Sequence, residues 1–279
     1  MRDALPSLRY AWRMSSVPLY QVDAFAARAF TGNPAAVCPL AAWLPEDTMR
    51  KIAAENNLSE TAFYVPRPDG DFDLRWFTPA VEIDLCGHAT LAAGFVQMEL
   101  REKGRDKVRF WTKSGALEVT RDGAQFAIDL PSRPPRACEA PAALGEALGG
   151  APLEVMRSRD LLCIYECAED VRMLVPDMRK VAALPSEFAL IVTAPGTGQD
   201  KDVDFVSRFF APAKGVDEDP VTGSAHATLV PFWSARLDKT HLKARQVSKR
   251  GGDLGCTLSG DRVRLAGGAV LVVEGTLTF

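Results

Sequence analysis

Two similar segments, each with a histidine after two small residues, contain residue types that could take part in catalysis. CGHATL stands at 86–91 and SAHATL at 224–229, and a long apolar stretch follows each histidine. If Cys86 and Ser224 come just before helices, the first backbone N–H groups of each helix have no partner within it and can bind an anion. The pair therefore predicts a site that holds a small carboxylate by backbone groups. In the alternative interpretation, Ser224 only caps a helix and Cys86 only fills the core.

The two segments belong to a longer internal repeat. MRKIAA at 49–54 returns as MRKVAA at 178–183, and in the same order SETAFYV returns as SEFALIV, RWFTPA as RFFAPA, and KSGALEV as RGGDLGC. Matches that keep one order along the chain indicate a duplication. They predict two homologous lobes, residues 17–130 and 131–279, after a tail of residues 1–16.

The apolar pattern within a lobe predicts a mixture of strands and helices. VPLYQVDAF alternates as a strand does, and TAFYV, FDLRWF, VRFWT, ALEVT and AQFAIDL are further short strands. HATLAAGFVQMEL is apolar almost all round, so a helix there must be enclosed by protein. Each lobe is thus predicted to be a curved sheet around one buried helix. The second copy carries Pro231, which costs about 3 kcal/mol in a helix interior unless the helix kinks.

The composition bounds the class of protein. The chain has 279 residues, 47% of them hydrophobic and 25% charged, with a formal net charge of −3. This is typical of a globular protein, and it gives no electrostatic argument for binding nucleic acid or an anionic membrane. No apolar run reaches the roughly 20 residues that span a bilayer. Six cysteines without a disulfide-framework spacing predict reduced thiols and a cytoplasmic location.

Motifs for metals and nucleotides are missing from the sequence. With three histidines and neither a CxxC nor an HExxH motif, a metal site is not predicted. The glycine-rich stretches at 196–202 and 251–260 fit neither a phosphate loop nor a dinucleotide fingerprint, and hairpin turns are favoured there. No cofactor is predicted.

Four ordered motifs give the chain a family resemblance. FTGNPAAV (30–37), NLSETAF (57–63), FTPAVEIDLCGHATLA (77–92) and DPVTGSAHA (219–227) resemble the PhzF-like proteins, the phenazine-biosynthesis isomerase family with the diaminopimelate epimerase fold. The resemblance runs from about residue 17 to the C-terminus. It implies an α+β fold of two pseudo-symmetric lobes, each a barrel-like, mainly antiparallel sheet around a central buried helix. It also implies an active site in the cleft between them and a homodimer.

The resemblance implies a reaction as well. The namesake of the family shifts a double bond in a dihydro-hydroxyanthranilate without a cofactor, moving a proton between two carbons with one carboxylic acid. Carried over by motif, Glu60 is the general acid/base, His88 hydrogen-bonds the substrate and helps set the charge state of Glu60, and Asp219 orients a polar substituent. The pocket and the carboxylate site are then lined by Ser59, Gly87, Gly223 and Ser224.

These residue types suit a proton transfer at carbon. Such a step needs a base whose pKa is raised towards neutrality, which burial of a carboxyl group achieves. The same acid can return the proton elsewhere if water is kept out.

Other interpretations of these residues stay open at this stage. Glu60 could be an ordinary surface carboxylate. Its counterpart in the second repeat, Glu187, indicates that a glutamate can be inherited at this position without a catalytic role. Asp219 could be an N-cap followed by Pro220 at the first helical position. Asn33 could reach the cleft, although a plain turn residue is favoured.

Cys86 separates two reactions. Diaminopimelate epimerase inverts its stereocentre with two facing cysteines, but here Ser224 stands at the second point, and a hydroxyl without an adjacent base accepts a carbon-bound proton poorly. The sequence therefore predicts a cofactor-independent isomerase of a small carboxylate-bearing metabolite. The alternatives are an epimerase or racemase of an amino-acid-like substrate that uses Cys86, and a non-catalytic small-molecule-binding protein of the same fold.

Overall fold

A computed structural model describes residues 15–184 and 189–279. Residues 1–14 of the predicted tail lie outside the described residues, and so does Glu187, the counterpart of Glu60.

The first repeat contains eight strands and two helices, and its second helix continues as a π-helix over Val96–Arg101. The strands are β1 (Ser16–Ala24), β2 (Asn33–Pro39), β3 (Glu60–Pro66), β4 (Phe72–Phe77), β5 (Glu82–Ile83), β6 (Lys107–Thr112), β7 (Gly115–Asp122) and β8 (Gln125–Pro131), and the helices are α1 (Glu46–Asn56) and α2 (Gly87–Phe95).

In its described residues, the second repeat contains ten strands, four helices and short 3₁₀ turns at Gly198–Asp200 and Pro212–Lys214. The strands are β9 (Arg136–Ala137), β10 (Glu154–Arg157), β11 (Leu161–Ile164), β12 (Leu190–Pro195), β13 (Phe205–Ala211), β14 (Val216–Glu218), β15 (His241–Gln246), β16 (Gly252–Ser259), β17 (Arg262–Gly267) and β18 (Ala269–Thr278), and the helices are α3 (Leu144–Leu148), α4 (Ala168–Met173), α5 (Met178–Ala182) and α6 (Gly223–Leu237).

Strand pairing repeats from one half to the other. In the first, β1–β2 is antiparallel, β2–β3 parallel, β3–β4 antiparallel and β4–β6 parallel. In the second, β10–β11, β11–β12, β12–β13 and β13–β15 follow in the same order with the same directions. Antiparallel pairs complete each sheet, and β8 pairs with β17 to join the two. The predicted α+β class and mainly antiparallel lobes are confirmed.

The last strand of the chain crosses to the other lobe. β9 pairs with β10 within the second repeat, whereas β18 returns to pair with β1 along its whole length. In space, β18 therefore belongs with the first repeat, although it lies at the end of the second in sequence.

The two central helices are enclosed by the sheets. α2 is buried from Gly87 to Gly94, and α6 has a comparable buried run that includes Pro231. Pro231 lies inside a continuous helix rather than at its end. Residues 251–260, predicted as a hairpin turn, instead contain the whole of strand β16, which pairs with both β15 and β17. None of the helices in the described ranges combines the length and apolarity that a bilayer crossing requires.

Close packing of α2 on β7 requires a glycine at position 94. A β-carbon there would lie 2.6 Å from Cγ1 and 2.7 Å from Cβ of Val119. We expect Gly94→Ala to lower the free energy of unfolding by about 1–3 kcal/mol, because overpacking outweighs the gain in helix propensity. Denaturant unfolding measures this change. Val119→Ala in the same chain should restore part of the loss, and Gly275→Ala, where no atom would lie within 4 Å of the new β-carbon, is the control. Equal effects at both glycines would contradict the expectation.

Candidate active site

The two central helices begin against each other. A β-carbon on Gly87 would lie 3.4 Å from Cα of Gly223, and the converse distance is the same, so glycine at both positions permits the contact. Neither helix start is capped by a side-chain hydrogen bond. Their first N–H groups are therefore available to an anion. Ser224 is the second residue of α6 rather than the residue just before it, and the N-cap is Thr222.

Glu60 and His88 face each other beside these helix starts. Glu60 is the first residue of β3, and His88 is the second residue of α2. The Nε2 of His88 lies 3.0 Å from Oε2 of Glu60, and the two side chains are only 4% and 12% exposed. Neither atom has an aligned hydrogen-bond partner within the described residues, although both are buried. Buried polar atoms without a hydrogen-bond partner are uncommon, and this pair therefore marks a candidate functional site.

The other ring nitrogen of His88 lies beside Asn33 and Cys86. Nδ1 lies 3.1 Å from Nδ2 of Asn33 and 3.5 Å from Sγ of Cys86. The shorter bonds of the Asn33 amide nitrogen, to the carbonyl oxygen of Val221 at 2.8 Å and to Asp219 at 2.9 Å, use both of its protons. Burial lowers the pKa of His88, but interactions with Cys86 and Glu60 outweigh this effect and raise the pKa well above its ordinary value. The Glu60 carboxylate thus favours a proton on Nε2.

Asp219 is held in the same cluster from the second lobe. Its Oδ1 accepts a hydrogen bond of 2.9 Å from Nδ2 of Asn33, and its Oδ2 accepts one from the hydroxyl of Thr222. Helix α6 begins at Gly223 with Thr222 as its N-cap, so the N-cap alternative for Asp219 is wrong. Asn33 is fully buried and bridges His88 to Asp219. It opens strand β2, so the favoured interpretation as a plain turn residue is also wrong.

The environment changes the acidity of two groups in the cluster. Burial raises the pKa of Asp219 to about 6, with His88 opposing and Glu60 adding to the rise. Burial and the charge of Glu60 raise the pKa of the Cys86 thiol to about 11. Cys86 is therefore protonated at neutral pH, and a protonated thiol is a poor base.

The histidine of the second lobe has a different role. His226 is completely buried, and its Nδ1 lies 2.8 Å from the carbonyl oxygen of Thr222, to which it donates. Burial lowers its pKa to about 4, so the ring is neutral at physiological pH. The repeated histidine therefore faces the cleft in one lobe and supports a helix start in the other.

Glu60, Cys86 and His88 form a group that could be considered for a metal, because one ligand atom from each lies within 4.8 Å of the others. A zinc site needs all its donors at about 2.0–2.3 Å from one ion. Here the His88 ring lies between the other two, with Nε2 towards Glu60 and Nδ1 towards Cys86. This arrangement suits proton transfer better than ligation, and a site without a metal stays a prediction.

The remaining predicted residues lie around the cluster. Ser59 adjoins Glu60 and is half-buried, as is Ser224, whereas Gly87 and Gly223 are buried at the helix contact. The half-buried serines and Glu60 mark the side from which a ligand can approach.

Sequence reasoning missed the residues that hold the loop before Asn33. Arg250 donates to the carbonyl oxygen of Gly32 at 2.9 Å and to Asp23 at 2.8 Å, and the other oxygen of Asp23 accepts the N–H of Phe30. These contacts join segments that are 218 and 227 residues apart. No local pattern carries that information.

Comparisons with known proteins agree over almost the whole chain. The model of the phenazine biosynthesis-like protein family matches residues 22–275. A Pseudomonas aeruginosa protein described as an uncharacterized isomerase is 48% identical over 259 residues, covering 93% of this chain and 98% of that protein. A human phenazine biosynthesis-like domain-containing protein is 42% identical over 285 residues, covering 94% and 99% respectively. The crystal structure of a PhzF-family phenazine biosynthesis protein from Enterococcus faecalis superposes with a TM-score of 0.90 at 45% identity, covering 94% of this chain and 99% of that one.

Proposed function

The chain belongs to the phenazine biosynthesis-like family and is an isomerase, and we propose that it moves a proton between carbons of a small carboxylate-bearing metabolite with Glu60 as the general acid/base. The observation that carries this proposal is the Glu60–His88 contact of 3.0 Å between side chains that are almost fully buried. The homodimer and the cytoplasmic location stay predictions.

The parts of the site suit successive roles in such a transfer. The free N–H groups at the starts of α2 and α6 would bind the substrate carboxylate. Asp219, fixed by Asn33 and Thr222, would accept a hydrogen bond from an amino or hydroxyl substituent. These two contacts would leave the reacting carbons beside Glu60.

The chemical step then needs one acid. The Glu60 carboxylate takes a proton from one carbon, the electron pair of that C–H bond moves into the double-bond system, and Glu60 returns the proton to a second carbon. The Nε2–H of His88 supports the carboxylate when it is charged. No cofactor is needed because the proton is only relocated.

The second candidate is an epimerase that uses Cys86. The contact of 3.5 Å between Cys86 Sγ and His88 Nδ1 favours it, since an imidazole can activate a thiol. The raised pKa of Cys86 argues against it, as does Ser224 in place of an opposing thiol.

Proton exchange in D₂O tests the proposal. We would incubate the protein with small unsaturated acids that carry an amino or hydroxyl group, including a dihydro-hydroxyanthranilate, and follow C–H signals by NMR. Deuterium incorporation or double-bond migration supports the proposal. Tight binding of a panel member with neither change would support a binding protein instead.

Cys86→Ala separates the two reactions. We expect it to retain activity within about fivefold, because a protonated thiol supplies no base. Cys86→Ser keeps the size of the side chain, and Cys38→Ala, at another buried thiol, controls for loss of packing. Loss of exchange in both Cys86 variants, with the Cys38 variant active, would favour the epimerase.

A further inference from the structure

We infer that Gln246 is a positioning residue, whose buried amide turns the Thr222 hydroxyl away from the start of α6 and onto the carboxylate of Asp219. The inference rests on the proposed function, since it assigns a task to a residue that supports Asp219. Among the described residues, Gln246 forms no hydrogen bond with Glu60 or His88, so it acts through Thr222.

The amide of Gln246 is committed to one short segment. Gln246 ends β15 and is completely buried. Its Oε1 accepts the backbone N–H of Thr222 at 2.9 Å. Its Nε2 donates to the carbonyl oxygen of Asp219 at 2.7 Å and to Oγ1 of Thr222 at 3.2 Å. Both ends of the turn that precedes α6 are therefore held by one side chain.

These bonds decide where the Thr222 proton points. A hydroxyl has one proton and two lone pairs. Because Oγ1 of Thr222 accepts from Gln246, its proton is directed to Oδ2 of Asp219. A threonine at an N-cap usually accepts from an N–H group of its own helix. Here it makes no such bond, which leaves the first N–H groups of α6 free for a ligand.

The first lobe has no equivalent arrangement. Strand β6 corresponds to β15 in the repeat, and it ends in Thr112, whose hydroxyl donates to the carbonyl oxygen of Gly115. The N-cap of α2 is Cys86. The hydrogen bonds from Gln246 through Thr222 to Asp219 therefore occur only in the lobe that supplies Asp219, among the described residues.

Gln246→Met tests the inference, since methionine has a similar length and no amide. Gln125→Met is the control, because Gln125 lines the same cavity of about 580 Å³ as Gln246 but is exposed and forms no hydrogen bond with Asp219. The pKa of Asp219 would be followed by ¹³C NMR of its carboxyl carbon in the ligand-free protein. We expect it to rise by about one unit in Gln246→Met, because the ionised carboxylate loses an oriented donor. Gln125→Met should leave it unchanged.

Further variants keep the inference falsifiable if Gln246→Met fails to fold. Gln246→Glu retains the acceptor for the Thr222 N–H but loses both donors, and Thr222→Val removes the hydroxyl while Thr222→Ser keeps it. We expect the first two to raise the pKa of Asp219 and the third to leave it near the wild-type value. A shift in Thr222→Val without one in the Gln246 variants would overturn the inference. Because the titration needs no substrate, failure of the isomerase proposal would appear separately, as absence of exchange by the wild-type protein.

Discussion

Glu60→Gln is expected to lower the rate of carbon-bound proton exchange by about 10³- to 10⁴-fold, the range associated with loss of a general acid/base. Glutamine has the same shape as glutamate, so the contact with His88 and the packing of β3 are kept. It cannot take a proton from carbon at any accessible pH. The change therefore removes the chemical step and leaves the binding groups at the helix starts in place.

The control for this variant lies in the preceding helix. Glu55 is exposed on α1, five positions before Glu60, and Glu55→Gln should exchange at the wild-type rate. Rates would be measured by NMR in D₂O at saturating substrate, with denaturant unfolding to verify that both variants fold. A Glu60→Gln protein that folds and retains more than about a tenth of the activity would contradict the assignment.

Asp219→Asn is expected to lower activity while stabilising the fold. The amide can still accept from Asn33 and lie against Thr222, but it carries no charge. Activity should fall because a substrate donor loses a charged acceptor, which is worth about 1.5–3 kcal/mol, or about 10- to 100-fold. Stability should rise because a buried charge is removed. Opposite changes in activity and stability are typical of residues in a functional site.

The stability gain depends on pH in a defined direction. The pKa of Asp219 is raised from its ordinary value of 3.8 to about 6 in the folded protein, chiefly by burial. Its protonated form therefore contributes fully to stability below the unfolded-state pKa, and that contribution is lost as the pH rises through the folded-state pKa. At neutral pH the ionised group lowers the free energy of unfolding by up to about 3 kcal/mol.

Denaturant unfolding of wild type and Asp219→Asn at several pH values measures this effect. The two proteins should be nearly equal at about pH 4, and the variant should become more stable as the pH passes about 6. Asp217→Asn is the matched control, since Asp217 is exposed two residues earlier. A difference between wild type and Asp219→Asn that does not change with pH would contradict a raised pKa.

The sequence was sufficient to predict the repeat and the buried helices. MRKIAA and MRKVAA fall in α1 and α5, and the two HATL segments fall in α2 and α6, because equivalent packing preserves equivalent apolar residues. The return of β18 to β1 in the other lobe was not predicted. β18 is a strand by local pattern, but nothing local specifies the partner of a strand.

The candidate site was predicted where its residues lie in short motifs. Glu60, His88 and Asp219 meet as the family resemblance implied, but the bonds that hold them come from distant segments. Asn33 was favoured as a turn residue because Gly-Asn-Pro is typical of turns. Gln246 is 24 residues from Thr222, and its role depends on the parallel pairing of β13 and β15, which sequence patterns do not reveal.

The most direct test of one-carboxylate proton transfer compares two variants in the same experiment. Folded Glu60→Gln and Cys86→Ala proteins would be incubated in D₂O with any acid that the wild-type protein exchanges, and C–H signals would be followed by NMR. If Glu60 is the acid/base, Cys86→Ala incorporates deuterium or shifts the double bond, and Glu60→Gln does neither. Exchange by Glu60→Gln together with loss of exchange by Cys86→Ala would contradict it.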